Sequence, residues 1–229
     1  MKINLENKIK LVRDSIVAIG VLFPLNKVKI IGSGFSIIDE KQILTANHLF
    51  KNLKKEDIPN LVCMVAINKN GPLTNYSWLP VEIVRRERKV DSVLLKIKVE
   101  KKTLLTPLDL ADSLDVKEGQ EVYFSGYPYA ANLMNEGFGI TLITNKGIIS
   151  SVKYKGEEPY PLDWFFVDTI SNPGNSGCPL FDLKTNEVIG VMTISFRKQS
   201  KSFPELDIRE PMHIAGAKPI KVIKDALEI

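Results

Sequence analysis

The residues best suited to chemistry lie in one short segment, Asn172-Pro173-Gly174-Asn175-Ser176-Gly177-Cys178-Pro179-Leu180. Two glycines bracket a serine, just after a proline. Glycine reaches backbone angles closed to other residues and lets the main chain approach a ligand. A nucleophilic serine needs such a turn. Its hydroxyl must stand exposed, and backbone N–H groups must lie close by to hold the oxyanion of a tetrahedral intermediate. Gly174 and Ser176 are the donors this spacing offers. The hydroxyl also needs a base, because serine is a weak nucleophile at its own pKa. The chain holds two histidines, His48 and His213, so the base has two candidates. Taken alone, Gly-Asn-Ser-Gly is more often a surface turn than a site.

The elements that must position these groups are short and β-rich. Runs at 15–23, 28–38, 42–45, 61–67, 81–84, 92–99, 121–126, 147–152, 165–169, 188–195 and 213–217 are separated by Gly, Pro, Asn and Asp. Short strands broken by turn residues predict a sandwich or barrel. A terminal helix is predicted over 218–228, where Ile220, Ile223 and Leu227 share a face. A short helical turn is predicted over 48–53. The stretch 101–117 carries Pro107 and few β-branched residues and reads as a connector. It divides one domain, 1–229, into halves 1–105 and 106–229. The polar stretch 197–211 reads as a loop, and His213 as a partly buried residue at a strand end.

Three segments together carry a family resemblance. Asn172–Leu180 resembles the nucleophile loop of trypsin-like serine proteases, most closely the HtrA/Deg pattern NPGNSGGPL, with Cys178 in place of a glycine. Gly32-Ser33-Gly34-Phe35, followed by Ile43-Leu44-Thr45-Ala46-Asn47-His48, resembles the GSGF…ILTNxH segment of the catalytic histidine. Asp91-Ser92-Val93-Leu94-Leu95-Lys96-Ile97 resembles the DLAVLKI segment of the catalytic aspartate. Gly126-Tyr127-Pro128, Gly147-Ile148-Ile149-Ser150 and a worn GFAIP at 214–219 agree. The resemblance implies an all-β, chymotrypsin-like fold of two six-stranded antiparallel barrels with a C-terminal α-helix. It implies a serine endopeptidase working through an acyl-enzyme, without metal or cofactor. Ser176 would attack, His48 would carry the proton, and Asp91 would orient the imidazole. Gly174, Asn175 and Ser176 would form the oxyanion hole. The specificity pocket would be lined by Ile170, Ser171, Met192, Thr193, Ile194 and Ile214, favouring a small or medium aliphatic side chain. The implied partner is a protein or peptide substrate. The alternative class is a catalytically latent peptide-binding module that kept the fold. The chain stops soon after the last motif, which would leave out the PDZ module of HtrA proteins.

Composition narrows the remaining classes. Hydrophobic residues make up 44% and charged residues 25%, the balance of a globular protein. The net charge of +4 is spread along the chain, without the basic patch and interleaved aromatics of a nucleic-acid binder. Cys63 and Cys178 form no CxxC pair of the kind that holds zinc. No segment stays apolar for the roughly 20 residues of a spanning helix, so no membrane role is expected. The apolar run 15–24 follows charged residues and precedes no small-residue cleavage site. A cytoplasmic location is the expectation.

Overall fold

The computed structural model describes residues 4–70, 73–156, 162–199 and 209–229. A short helix, α1 (Leu5–Val12), opens the chain, with the Asn4 side chain accepting from the Asn7 N–H as its cap. Its Lys8 ammonium donates to the Lys184 carbonyl, which docks the N-terminus on the second half of the molecule. Leu5, Ile9 and Val12 share the face that packs on the core, an i, i+4, i+7 spacing that the sequence reading passed over.

Six strands follow: β1 (Ile16–Phe23), β2 (Lys27–Ser36), β3 (Gln42–Ala46), β4 (Leu61–Asn70), β5 (Leu73–Glu87) and β6 (Ser92–Ile97). They close an antiparallel barrel in the order β1-β2-β3-β6-β5-β4. β1 shows why its sequence is almost uniformly apolar. Val17, Ile19 and Val21 fill the barrel interior, while Ile16 and Ala18 join the core of the other half. A strand buried on both faces has no polar alternation to display.

The second half holds β7 (Glu121–Gly126), α2 (Ala130–Asn135), β8 (Ile143–Lys153), β9 (Trp164–Val167), β10 (Pro179–Asp182), β11 (Val188–Gln199), β12 (Arg209–Pro219) and α3 (Ile220–Leu227). Its strands close in the order β10-β11-β12-β9-β8-β7. The architecture is the double antiparallel barrel with a C-terminal helix. Ile220, Ile223 and Leu227 of α3 are buried in the shared core, as their spacing predicted.

Three local expectations change. β10 has only four residues and begins on Pro179, whose missing N–H a strand tolerates at its first position; no alternating run announces it. The predicted polar loop at 197–211 instead extends β11 to Gln199 and starts β12 at Arg209, with 200–208 outside the described residues. That lengthening leaves His213 inside β12, and the residue is exposed rather than partly buried.

Candidate active site

His48 sits in the 3₁₀ turn Asn47–Phe50, directly after β3. Asp91 ends the turn between β5 and β6, with φ at +50°. Aspartate tolerates this left-handed conformation better than most side chains. The turn brings the Asp91 carbonyl to the Asn47 N–H at 2.9 Å. The Asp91 carboxylate then takes two hydrogen bonds from His48: Oδ1 accepts the backbone N–H and Oδ2 meets ring Nδ1, each at 2.7 Å. With Nδ1 committed to the carboxylate, Nε2 is left free to act as a base. Glu87 faces elsewhere, its carboxylate accepting the Lys89 N–H at 2.9 Å.

The loop before β10 carries Ser176, and its shape depends on two glycines. Gly174 has φ at +103° and Gly177 at +87°. A Cβ on Gly174 would strike the Tyr127 carbonyl oxygen, and one on Gly177 would strike the Ser33 carbonyl oxygen and Thr45 Oγ1. Neither site admits another residue. Three bonds tie the loop to the first barrel or hold its shape. Ser33 N–H donates to the Ser176 carbonyl at 2.9 Å, Ser33 Oγ donates to the Gly174 carbonyl at 2.6 Å, and Gly177 N–H donates to the Met192 carbonyl at 2.8 Å. A Cβ on Gly32 would lie 2.9 Å from the Ser176 carbonyl and in contact with Leu49, so the loop packs beside the turn that holds His48.

Within this loop the Asn175 N–H is used by the Asn172 carbonyl, at 3.0 Å. The N–H groups of Gly174 and Ser176 make no hydrogen bond among the described residues. Asn175 itself is wholly buried, and both its side-chain polar atoms lack a partner among the described residues. Ser176 Oγ and His48 Nε2 make no hydrogen bond with each other. Such contacts run long in unliganded enzymes and tighten in the complex. Cys178 is fully buried, and burial pushes its thiol well above the ordinary range. A thiol so held is inert, because the thiolate is the nucleophile.

The anticipated pocket residues scatter. Ile170 is half-buried and Ser171 buried, and the Ser171 carbonyl accepts from Ser195 Oγ across the gap to β11. Met192 is sealed in the core, and Ile214 stands 39% exposed on β12. Thr193 and Ile194 line an open recess beside His48, together with Trp164 and Lys218, two residues that sequence reasoning missed. Ser33 was missed as well. It appeared only as part of a motif, yet it wires the nucleophile loop to β2.

Known proteins bear on this geometry. Residues 32–191 match the trypsin-like peptidase domain, a stretch containing His48, Asp91 and Ser176. A probable periplasmic serine endoprotease, DegP-like, from Halomonas elongata is 30% identical over 185 residues, which is 81% of this chain and 33% of that protein. Serine protease HTRA1 of Xenopus tropicalis is 31% identical over 71% of this chain and 31% of its own length. The chain thus spans about a third of the curated relatives it matches. Deg5 superposes with a TM-score of 0.69 at 22% identity, covering 98% of this chain and 95% of its own. An HtrA-type protease with tripeptide gives 0.66 at 21%, over 97% and 62%. The expected cytoplasmic location is overturned by the DegP-like relatives, which are named as periplasmic enzymes. The weak leader signal at the N-terminus was a poor guide to compartment. Two closed barrels, a histidine–aspartate pair and a glycine-framed serine between them fit the matched domain, and the chain belongs to the trypsin-like peptidase family.

Proposed function

We propose that the chain is a serine endopeptidase. His48 takes the proton from Ser176 Oγ as the hydroxyl attacks the scissile carbonyl, and Asp91 holds the imidazole tautomer and balances the imidazolium. The Gly174 and Ser176 N–H groups hold the oxyanion, with Asn175 forming the bend between them. His48 then gives its proton to the leaving amine, and water hydrolyses the acyl-enzyme by the same steps. The slot between 170–171 and 193–195 takes a small or medium aliphatic side chain, because its walls at Ile170 and Ile194 are apolar. The carrying observation is the pair of 2.7 Å bonds from His48 to Asp91, set beside two unengaged loop N–H groups. Its two thiols are buried, and burial raises both, Cys63 to about 12, which suits the oxidising compartment of the DegP-like relatives.

A fluorophosphonate probe tests this reading, since it reacts only with an activated serine. We expect one adduct, on Ser176, found by mass spectrometry. An adduct on Cys178 would sink the assignment of Ser176 as nucleophile, and a folded protein that takes no label and cleaves no casein would leave the latent peptide-binding module as the better account.

A further inference from the structure

An open recess of about 510 Å³ runs from His48 past Ile194 to Trp164 and Lys218, with Arg88 and Lys89 on its rim. Lys218 is only 3% exposed. Its ammonium lies 3.6 Å from the centre of the Trp164 ring and donates to the Asp163 carbonyl at 3.2 Å. An ammonium has three donors. Among the described residues, no carboxylate pairs with Lys218, and one N–H is left without an acceptor. Asp163 and Asp91 both favour the charged form, yet burial outweighs them and holds the group down to about 8. Asp91 is near enough to favour the charged form but makes no ion pair with Lys218; the pair it does make is with His48.

The charge around His48 is one-sided. On its other flank a second recess of about 370 Å³ is lined by Phe50, Lys51, Arg86 and Arg88, with the Arg86 guanidinium 5.5 Å from the Phe50 ring centre. Lys51, Arg86, Arg88 and Lys89 are all exposed, and none makes an ion pair among the described residues. Among the described residues, Asp91 is the one acid lining either recess. A buried cation without a counter-ion costs free energy. An anion arriving from the cleft would relieve that cost, and the outer cations would steer it in.

We propose that the recess is a subsite for an acidic side chain, glutamate or aspartate, on the N-terminal side of the scissile bond, and that Lys218 selects it. The inference rests on the peptidase reading above. The direction follows from the shared wall. Thr193–Ser195 borders both the slot for the residue whose carbonyl is attacked and this recess, so the recess receives residues that precede it. Trp164 and Ile194 seat the methylenes of the acidic side chain, while its carboxylate meets the free Lys218 donor.

Fluorescein-labelled octapeptides carry the test. Each has valine before the scissile bond and either Glu or Gln scanned through the four preceding positions. Binding is read by anisotropy on Ser176→Ala, and cleavage on the wild type. We expect a preference of about tenfold for Glu over Gln at one position, as for a partly desolvated charge pair, weakening with salt. Lys218→Met should bring the Glu/Gln ratio below about twofold, and Arg88→Gln should lower it partway. The ratio is self-normalising, and Arg88 lies on an exposed turn where substitution spares the fold. Equal binding of Glu and Gln at every position, no binding of either peptide, or an undiminished ratio in a folded Lys218→Met variant would overturn the subsite. Fluorophosphonate labelling of the wild type reads the peptidase assignment separately, so the two can fail independently.

Discussion

The nucleophile loop and the substrate-facing wall of the cleft are built in different ways. The loop is one continuous stretch, Asn172 to Leu180, shaped by two glycines at positive φ and by backbone hydrogen bonds. The wall is assembled from the turn before β6, the start of β9, the middle of β11 and the end of β12. In the loop, the backbone sets the shape and offers the two unengaged N–H groups, and Ser176 is the one side chain to which we assign a reaction. In the wall, side chains carry the interactions and the backbone only delivers them. The loop tolerates almost no change at Gly174 or Gly177, whereas the wall can be revised one residue at a time. A family that keeps its reaction while changing its substrates would be expected to divide its labour in this way.

Removing the nucleophile breaks the comparison most sharply on the catalytic side. Ser176→Ala should lower turnover on the order of 10⁵–10⁶-fold and abolish labelling, as loss of an acylating serine does in serine proteases. Its melting temperature should be unchanged, because the hydroxyl makes no hydrogen bond here. Asp91→Asn comes next. The amide can still meet the imidazole but favours the wrong tautomer, so turnover should fall on the order of 10³–10⁴-fold, a magnitude taken from the chymotrypsin-type precedent. Glu87→Gln should cost less than about tenfold, since that carboxylate only caps the Lys89 N–H. Reversed sizes for the two acids, measured as kcat on one peptide, would sink the assignment.

How much the sequence disclosed follows the same division. The β-rich runs and the terminal helix were readable in contiguous residues with a local constraint, whereas the two barrels followed only from the resemblance carried by the His48, Asp91 and Ser176 segments. Lys218 was not readable. A single lysine in the apolar stretch Ala215-Gly216-Ala217-Lys218-Pro219 gives no hint that Trp164, far away in sequence, lies beneath its ammonium. Met192 and Ile214 were placed in the pocket by the resemblance, on strand positions that it aligns without local motifs. The bulges in the β11–β12 pairing decide which side chains turn inward, and a one-residue shift changes the face. β10, at four residues, was too short to leave a period, and the Leu5, Ile9, Val12 spacing of α1 was passed over.

Asn175 offers a stability test within the loop. It is wholly buried, with no partner for either polar atom among the described residues. Asn175→Asp would put an uncompensated carboxylate there, and we expect a loss of about 3–5 kcal/mol at neutral pH. Burial raises the folded pKa of such a group above its unfolded value of about 3.9. The penalty is therefore present above that raised value and fades as pH falls toward the unfolded value, where both states are neutral. Urea midpoints at pH 7 and pH 4 should converge on those of the wild type at the lower pH. A constant deficit across that range would mean that the residue is destabilising through packing.

Lys218 sets the smallest effect and the one that most directly tests whether the wall is built around an absent anion. Burial holds its folded pKa to about 8, against about 10.4 for an unfolded lysine. Between those values the unfolded chain keeps a proton that the folded chain has released, so folding stability should rise with pH across that window. Below about 8 the folded protein bears the full cost of the charged ammonium; above about 10.4 it bears none. Lys218→Met keeps an unbranched side chain one atom shorter and removes the charge, so the variant should lack this rise. The melting temperature of the variant minus that of the wild type should therefore be most positive near pH 7 and decline by a few degrees toward pH 10. The stacking of the ammonium on Trp164 shifts that difference by an offset, but the trend still comes from the proton. Adding a saturating Glu-bearing peptide to Ser176→Ala should raise the proton affinity of Lys218 and shrink the window from below. A difference that stays flat from pH 7 to 10 would show that the ammonium is already compensated in the free protein, leaving the wall no more dependent on a ligand than the loop is.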